Sequence, residues 1–226
     1  MNILLVNDDG YDALGIKVLN ALLKKYGRVV TIAPKTMMSA KSVSLILSHP
    51  VKVEKLAEDL YAMEATPADC VAYGLSSLGI KFDLVVSGIN HGLNISYDTM
   101  YSGTIGACLQ ALTYRVPAIA LSCDNNFEIV EKYFDKTYNF ILRNKLLSIE
   151  YLLNINYPLG EQVDEIKLTH IFYRKEVTYY QDMGDNYYQA KRELNDSLCD
   201  DKDSDVYAVN HHIVSITKLY RSLDHE

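Results

Sequence analysis

The chain opens on an unbroken apolar run at 3–6 (ILLV), the pattern of a strand covered on both faces as in a parallel sheet. From Leu14 the spacing turns helical through Ile16, Leu19, Leu22 and Leu23, and Gly27 is a stop signal. Residues 28–34 (RVVTIAP) read as a second buried strand closed by Pro34. Thr66 before Pro67, with Asp69 three positions on, has the form of a capping box and predicts a helix to about Leu78. The run 82–88 (FDLVVSG) is the next strand, and Ile105, Leu109 and Leu112 share one face of a helix over 102–113. A strand at 117–122, an amphipathic helix marked by Phe127, Val130, Phe134, Tyr138 and Ile141, and a strand at 151–158 continue the alternation. Such alternation predicts an α/β fold: a doubly wound, mostly parallel sheet with right-handed crossovers.

Two stretches break this rhythm. Residues 43–56 (VSLILSHPVKVEKL) are expected to form a small hairpin rather than a helix. Residues 167–194 are strand-like, polar and rich in tyrosine, with turn chemistry in DMGD at 182–185; they predict a protruding C-terminal β-hairpin that needs a partner surface. An acidic loop is expected at 195–205 and a last strand at 212–217.

Composition narrows the function. The 226 residues are 49% apolar and 23% charged, enough for one generous core. A formal charge of −7 argues against a nucleic acid polymer as partner, because such affinity comes from clustered Lys and Arg. No apolar stretch reaches the roughly 18–20 residues that span a bilayer, and no signal peptide opens the chain, so no membrane partner and a cytoplasmic location are expected. Cys70, Cys108, Cys123 and Cys199 are scattered without a CxxC pair; the first three lie in apolar surroundings and read as core thiols.

In open α/β sheets ligands bind beyond the carboxyl ends of the strands, where strand order reverses. The first strand delivers Asp8 and Asp9 there, and Gly10 permits the turn that lets both serve one site. Adjacent carboxylates repel unless a proton or cation lies between them. Oxygen ligands without neighbouring His or Cys favour Mg2+ or Mn2+ over Zn2+; the competing reading is that one of the acids caps the following helix. Residues 86–107 reach the same sheet edge. They carry Asn90 and Asn94, glycines 88, 92 and 103, and Ser102, Gly103 and Thr104 where a helix begins, a ready phosphate site.

Taken in order, ILLVNDDG, AP followed five residues later by Ser39, TPADC at 66–70, SGINHGLN, YSGT, NINYP and SDVYAV with VSIT resemble the stationary-phase survival protein SurE family of metal-dependent 5'-nucleotidases. That resemblance implies one divalent metal ion per subunit (Mg2+ or Mn2+) on Asp8, Asp9, Ser39 and Asn90. It implies that Asn94, Ser102, Gly103 and Thr104 receive the substrate phosphate. It also implies a Rossmann-like three-layer core over 1–165, a hairpin and oligomerisation segment over 166–226, and a homodimer or homotetramer. The chain departs from the family pattern at Ala40 and Ser96, where glycine is usual, and at Ile46, Ile95 and Lys218. These departures bear on substrate preference.

The expected reaction is hydrolysis of nucleoside 5'-monophosphates by a metal-activated water, with Asp8 or Asp9 taking its proton. His91, in the same loop, is a possible donor to the phosphate or the leaving group. The alternatives are a broader phosphatase acting on 3'-nucleotides or short polyphosphate, and a non-catalytic nucleotide-binding oligomer. An aspartyl-phosphate enzyme would want a DxD spacing, and a zinc deacetylase would want nearby His ligands.

Overall fold

A computed structural model describes residues 1–194 and 199–220. In chain order the elements are β1 (Asn2–Val6), α1 (Leu14–Leu23), β2 (Arg28–Pro34), β3 (Val53–Ala57), β4 (Leu60–Met63), α2 (Pro67–Ser77), β5 (Leu84–His91), α3 (Asp98–Tyr101) and α4 (Gly103–Thr113). They continue with β6 (Ala118–Cys123), α5 (Phe127–Arg143), β7 (Tyr151–Asn156), β8 (Glu165–Thr169), β9 (Glu176–Asp182), β10 (Tyr188–Leu194), α6 (Asp205–Asn210) and β11 (Ile213–Tyr220).

One nine-stranded sheet runs in the order β3-β4-β2-β1-β5-β6-β7-β11-β8. The six strands from β4 to β7 are parallel to one another, β3 is antiparallel to β4, and β11 runs antiparallel to β7. Because side chains alternate along a strand, β1 feeds both layers. Ile3 and Leu5 pack with α1 and α5, while Leu4 and Val6 pack with α2 and α4. All four residues are 0% exposed, so the polar positions that follow them sit at the rim of a rigid, dry mount.

Chain order reverses between β1 and β5: β2 and β4 lie on one side of β1, and β5, β6 and β7 on the other. The register Ile3↔Leu84 to Val6↔Ser87 ends β1 beside Ser87 while β5 runs on to His91, so the turn after β1 faces the last residues of β5 across the crevice expected of a doubly wound sheet. The capping box forms as predicted: Thr66 Oγ1 accepts the Asp69 N–H at 3.1 Å, and Asp69 Oδ2 accepts the Thr66 N–H at 3.1 Å. Cys70, Cys108 and Cys123 are buried free thiols, as their surroundings suggested.

The tyrosine-rich segment forms the expected hairpin, with β9 and β10, among the described residues, paired only to each other. The other predicted hairpin is displaced. Residues 43–50 have no regular structure, and the turn joins β3 to β4, later in the chain. The first apolar stretch is held instead by side chains, since Thr66 Oγ1 donates to the Ser44 carbonyl at 2.7 Å and the Ile46 N–H reaches the Asp69 carboxylate at 3.3 Å. Of the expected acidic loop, 195–198 lie outside the described residues, and Asp205 begins α6 rather than ending a loop. No helix among the described residues is long and apolar enough to cross a membrane.

Candidate active site

The turn after β1 is built by Asn7, a polar residue wholly buried at the end of an apolar strand. Its amide Nδ2 donates to the Gly10 carbonyl at 2.9 Å and its Oδ1 accepts the Gly10 N–H at 3.3 Å. Gly10 takes φ 112°, a left-handed conformation that other residues adopt only at a cost, and so the chain doubles back. Tyr11 N–H then donates to the Pro34 carbonyl at 3.0 Å and Met38 N–H to the Asp8 carbonyl at 2.7 Å, tying the loop after β2 to the acids. That tie sets Ser39, which is exposed, one residue from a direct contact with Asp8.

The start of α4 meets the same point. Ser102 caps it, its Oγ accepting the Ile105 N–H at 3.2 Å. Thr104 Oγ1 donates to Asp8 Oδ1 at 2.6 Å and lies 3.4 Å from Asn90 Oδ1. A side chain at 103 would put its Cβ 2.9 Å from Asp8 Oδ2, so the helix can approach this closely only with Gly103 there. Asn90 donates through Nδ2 to the Gly92 carbonyl at 2.8 Å, which turns its oxygen toward Thr104. Asp9 Oδ2 accepts the His91 N–H at 3.3 Å, and the His91 side chain is exposed.

Burial sets the electrostatics. It pushes the Asp8 carboxyl up to about 6; the Thr104 hydroxyl opposes that shift and the neighbouring Asp9 adds to it. Burial also raises Asp9, against the His91 N–H. Among the described residues no Lys or Arg pairs with either acid. No group of three His, Cys, Asp or Glu is assembled as a metal site among them either. The donor set is therefore two uncompensated carboxylates with an amide and a hydroxyl oxygen nearby, which suits a hard divalent cation.

Asn94 is as enclosed as Asp8, each 4% exposed. Its Nδ2 donates to Ser122 Oγ at 2.9 Å, and its backbone is fixed by Asn154 and Asn156 on β7. Asp8, Asp9, Asn90, His91, Ser102, Gly103 and Thr104 are thus brought together by direct contacts. Ser39 joins through the backbone of Met38, and Asn94 through the loop it anchors.

Sequence reasoning missed the supports. Asp205 is 0% exposed and accepts N–H groups from Ser96, Phe172 and Val206 at 2.8–2.9 Å, locking the loop between β5 and α3 onto α6. Asn7, just past β1, and Asn154 and Asn156 within β7 gave the available signal: amides set in apolar runs require partners once buried, and all three are 0% exposed.

The Survival protein SurE family model matches residues 3–178. A 5'-nucleotidase SurE from Clostridium botulinum (strain Eklund 17B / Type B) is 34% identical over 97% of this chain and 93% of the relative. Another from Clostridium botulinum (strain 657 / Type Ba4) is 34% identical over 99% and 94%. Among solved structures, the SurE protein of Aquifex aeolicus superposes with a TM-score of 0.86 at 33% identity, covering 99% of this chain and 94% of that one.

Proposed function

The chain belongs to the SurE family, and from that premise we propose that it is a 5'-nucleotidase, cleaving nucleoside 5'-monophosphates to nucleoside and phosphate at the rim between β1 and β5. The observation that carries this reading is the meeting of Asp8, Thr104 and Asn90 at the N-terminus of α4.

In this proposal Asp8, Asp9, Ser39 and Asn90 hold one divalent ion per subunit, Mg2+ or Mn2+. When bound, it neutralises charge on the phosphoryl group and acidifies a water molecule. The chain supplies the rest. The Gly103 N–H at the start of α4 and the Ser102 hydroxyl bind phosphoryl oxygens where the helix dipole is positive; the Thr104 hydroxyl, given to Asp8 at 2.6 Å, joins them only on leaving that carboxylate. Gly103 lets the backbone come close enough. Asn94 gives one amide hydrogen to Ser122 and has a second for the phosphate. Asp9 is more exposed than Asp8 and lacks a hydroxyl donor, so it is the better acceptor for the water's proton. His91, exposed on the same loop, is the proposed donor of a proton to the leaving 5'-oxygen.

The substrate is a small molecule. We assign residues 1–165 to the catalytic core and 166–226 to the hairpin and oligomerisation segment of a homodimer or homotetramer, in the cytoplasm. Support for the assembly comes from Tyr180 and Tyr187 on the β9–β10 hairpin, 69% and 74% exposed, aromatic surface that a second copy would cover. The test is phosphate release from a panel of nucleoside 5'-monophosphates with Mg2+ or Mn2+, with and without chelator, by wild type and Asp9→Ala. Activity lost on removing either the metal or the carboxylate supports the reading; hydrolysis indifferent to both overturns it.

A further inference from the structure

Resting on that reading, the structure suggests where selectivity for the nucleoside arises. Tyr101 immediately precedes Ser102, the residue that caps the phosphate-facing helix, and is 55% exposed. The Tyr101 carbonyl accepts the Ser42 N–H at 3.0 Å and the Met100 carbonyl accepts from Ser42 Oγ at 2.9 Å. The two residues are thereby fixed to the loop that carries Ser39. From the hairpin, the Arg192 guanidinium sits 5.7 Å from the centre of the Tyr101 ring while its Nη1 holds Asp98 Oδ1 at 2.6 Å. One aromatic residue is therefore exposed, backed by a cation, and anchored one position from the phosphate donors.

Neighbouring Tyr97 is committed elsewhere, its ring packed against Tyr173 with centroids 4.8 Å apart. Phosphate donors grip every phosphate monoester alike and cannot tell a nucleotide from a sugar phosphate. An anchored aromatic face can, because every nucleobase has a π surface that stacks on it and a bare sugar phosphate has none. A guanidinium on the same ring adds a cation–π interaction to the stack.

We propose that Tyr101, steadied by Arg192, is a specificity-determining residue that stacks on the nucleobase and selects nucleotides over sugar phosphates that lack a base.

The test compares kcat/KM for adenosine 5'-monophosphate and for ribose 5-phosphate, the same ester without its base, in wild type, Tyr101→Ala and Tyr101→Phe. Wild type should prefer the nucleotide. Tyr101→Ala should lower that preference about tenfold, chiefly through KM for the nucleotide, within the range that stacking one base provides. Tyr101→Phe should restore it, because the π face is kept. Equal losses on both substrates, with or without a change of assembly by light scattering, overturn the platform and leave the phosphatase reading intact. An unchanged preference in Tyr101→Ala, or no preference in wild type, does the same. Failure of wild type to cleave either ester overturns the 5'-nucleotidase reading and the platform with it.

Discussion

The Thr104 hydroxyl donates to Asp8 Oδ1 at 2.6 Å, joining the first turn of α4 to the end of β1 across 96 positions of sequence. Both residues are buried, and this bond opposes the burial that lifts the Asp8 pKa. Removing the hydroxyl in Thr104→Val should therefore raise Asp8 further and move the acid limb of the pH–rate profile upward. Bonds to charged groups contribute about 1.5–3 kcal/mol, so kcat/KM near pH 6 should fall roughly 10- to 100-fold. The measurement is the pH dependence of kcat/KM; an acid limb that stays in place or moves downward contradicts the role given to this bond.

Asp8 also predicts a pH-dependent stability. Its folded pKa of about 6 exceeds its ordinary value of 3.8, so the folded chain holds this proton more tightly than the unfolded chain does. Its contribution is complete below about pH 4 and is lost as pH rises through about 6. In metal-free protein at pH 7, Asp8→Asn should then be more stable than wild type by at most about 3 kcal/mol, the equivalent of roughly two pKa units. At pH 3.5 the gap should close. Denaturant melts at both pH values check the sign.

Metal should reverse that ranking. Millimolar Mn2+ stabilises whatever folded form binds it, so wild type should gain melting temperature while Asp8→Asn gains little or none. Protonation of Asp8 competes with the ion, and apparent affinity should drop below about pH 6. Equal gains in the two proteins on thermal scans with Mn2+ would falsify the assignment of Asp8 as a ligand.

Asp205 offers a test far from the acids. Replacing it with Ala takes the acceptor from the buried Ser96 N–H and the part-buried Phe172 N–H, and a buried group left unsatisfied costs about 1–3 kcal/mol. We expect Asp205→Ala to lose several kcal/mol of stability in urea, with faster hydrogen exchange at the Ser96 amide. Full stability, or exchange at Ser96 as slow as in wild type, would show that the loop does not depend on α6.

Ala40 and Ser96, two of the departures noted in the sequence, both adopt left-handed backbone, at φ 57° and 53°. A side chain in that region costs roughly 1–2 kcal/mol, partly offset by the entropy that glycine loses on folding. Ala40→Gly should consequently stabilise the chain by up to about 1 kcal/mol. Ser96→Gly should not, because Ser96 Oγ accepts the Arg174 N–H at 3.2 Å. Melts of the two variants side by side distinguish these outcomes.

What could be read from the sequence was local. The α2 capping box lies within four consecutive residues, and the buried strands carry their own apolar runs, so both were legible. The helices α3 and α6, of 4 and 6 residues, are too short to show a period, and tertiary partners such as Asp205 with Ser96 hold them. The misplaced hairpin has a similar origin. Val43, Leu45 and Leu47 have the composition of a strand, yet Leu47 is 89% exposed and the segment is pinned through Thr66 and Asp69. Asp8 and Asp9 could be proposed as one site from their position beyond β1, but the contacts that join them to Asn90 and Thr104 required the folded sheet.

Every residue given a direct part in the chemistry lies in the first 104 positions, whereas Asn154, Asn156 and Asp205, which brace the loop, come from the later half. A ribosome would thus finish the reactive groups long before it delivered their buttresses. The half-made chain would carry a complete set of tools without the vice that keeps them aligned, and changes in the later half could retune the enzyme by loosening that grip while leaving every reactive atom as it was.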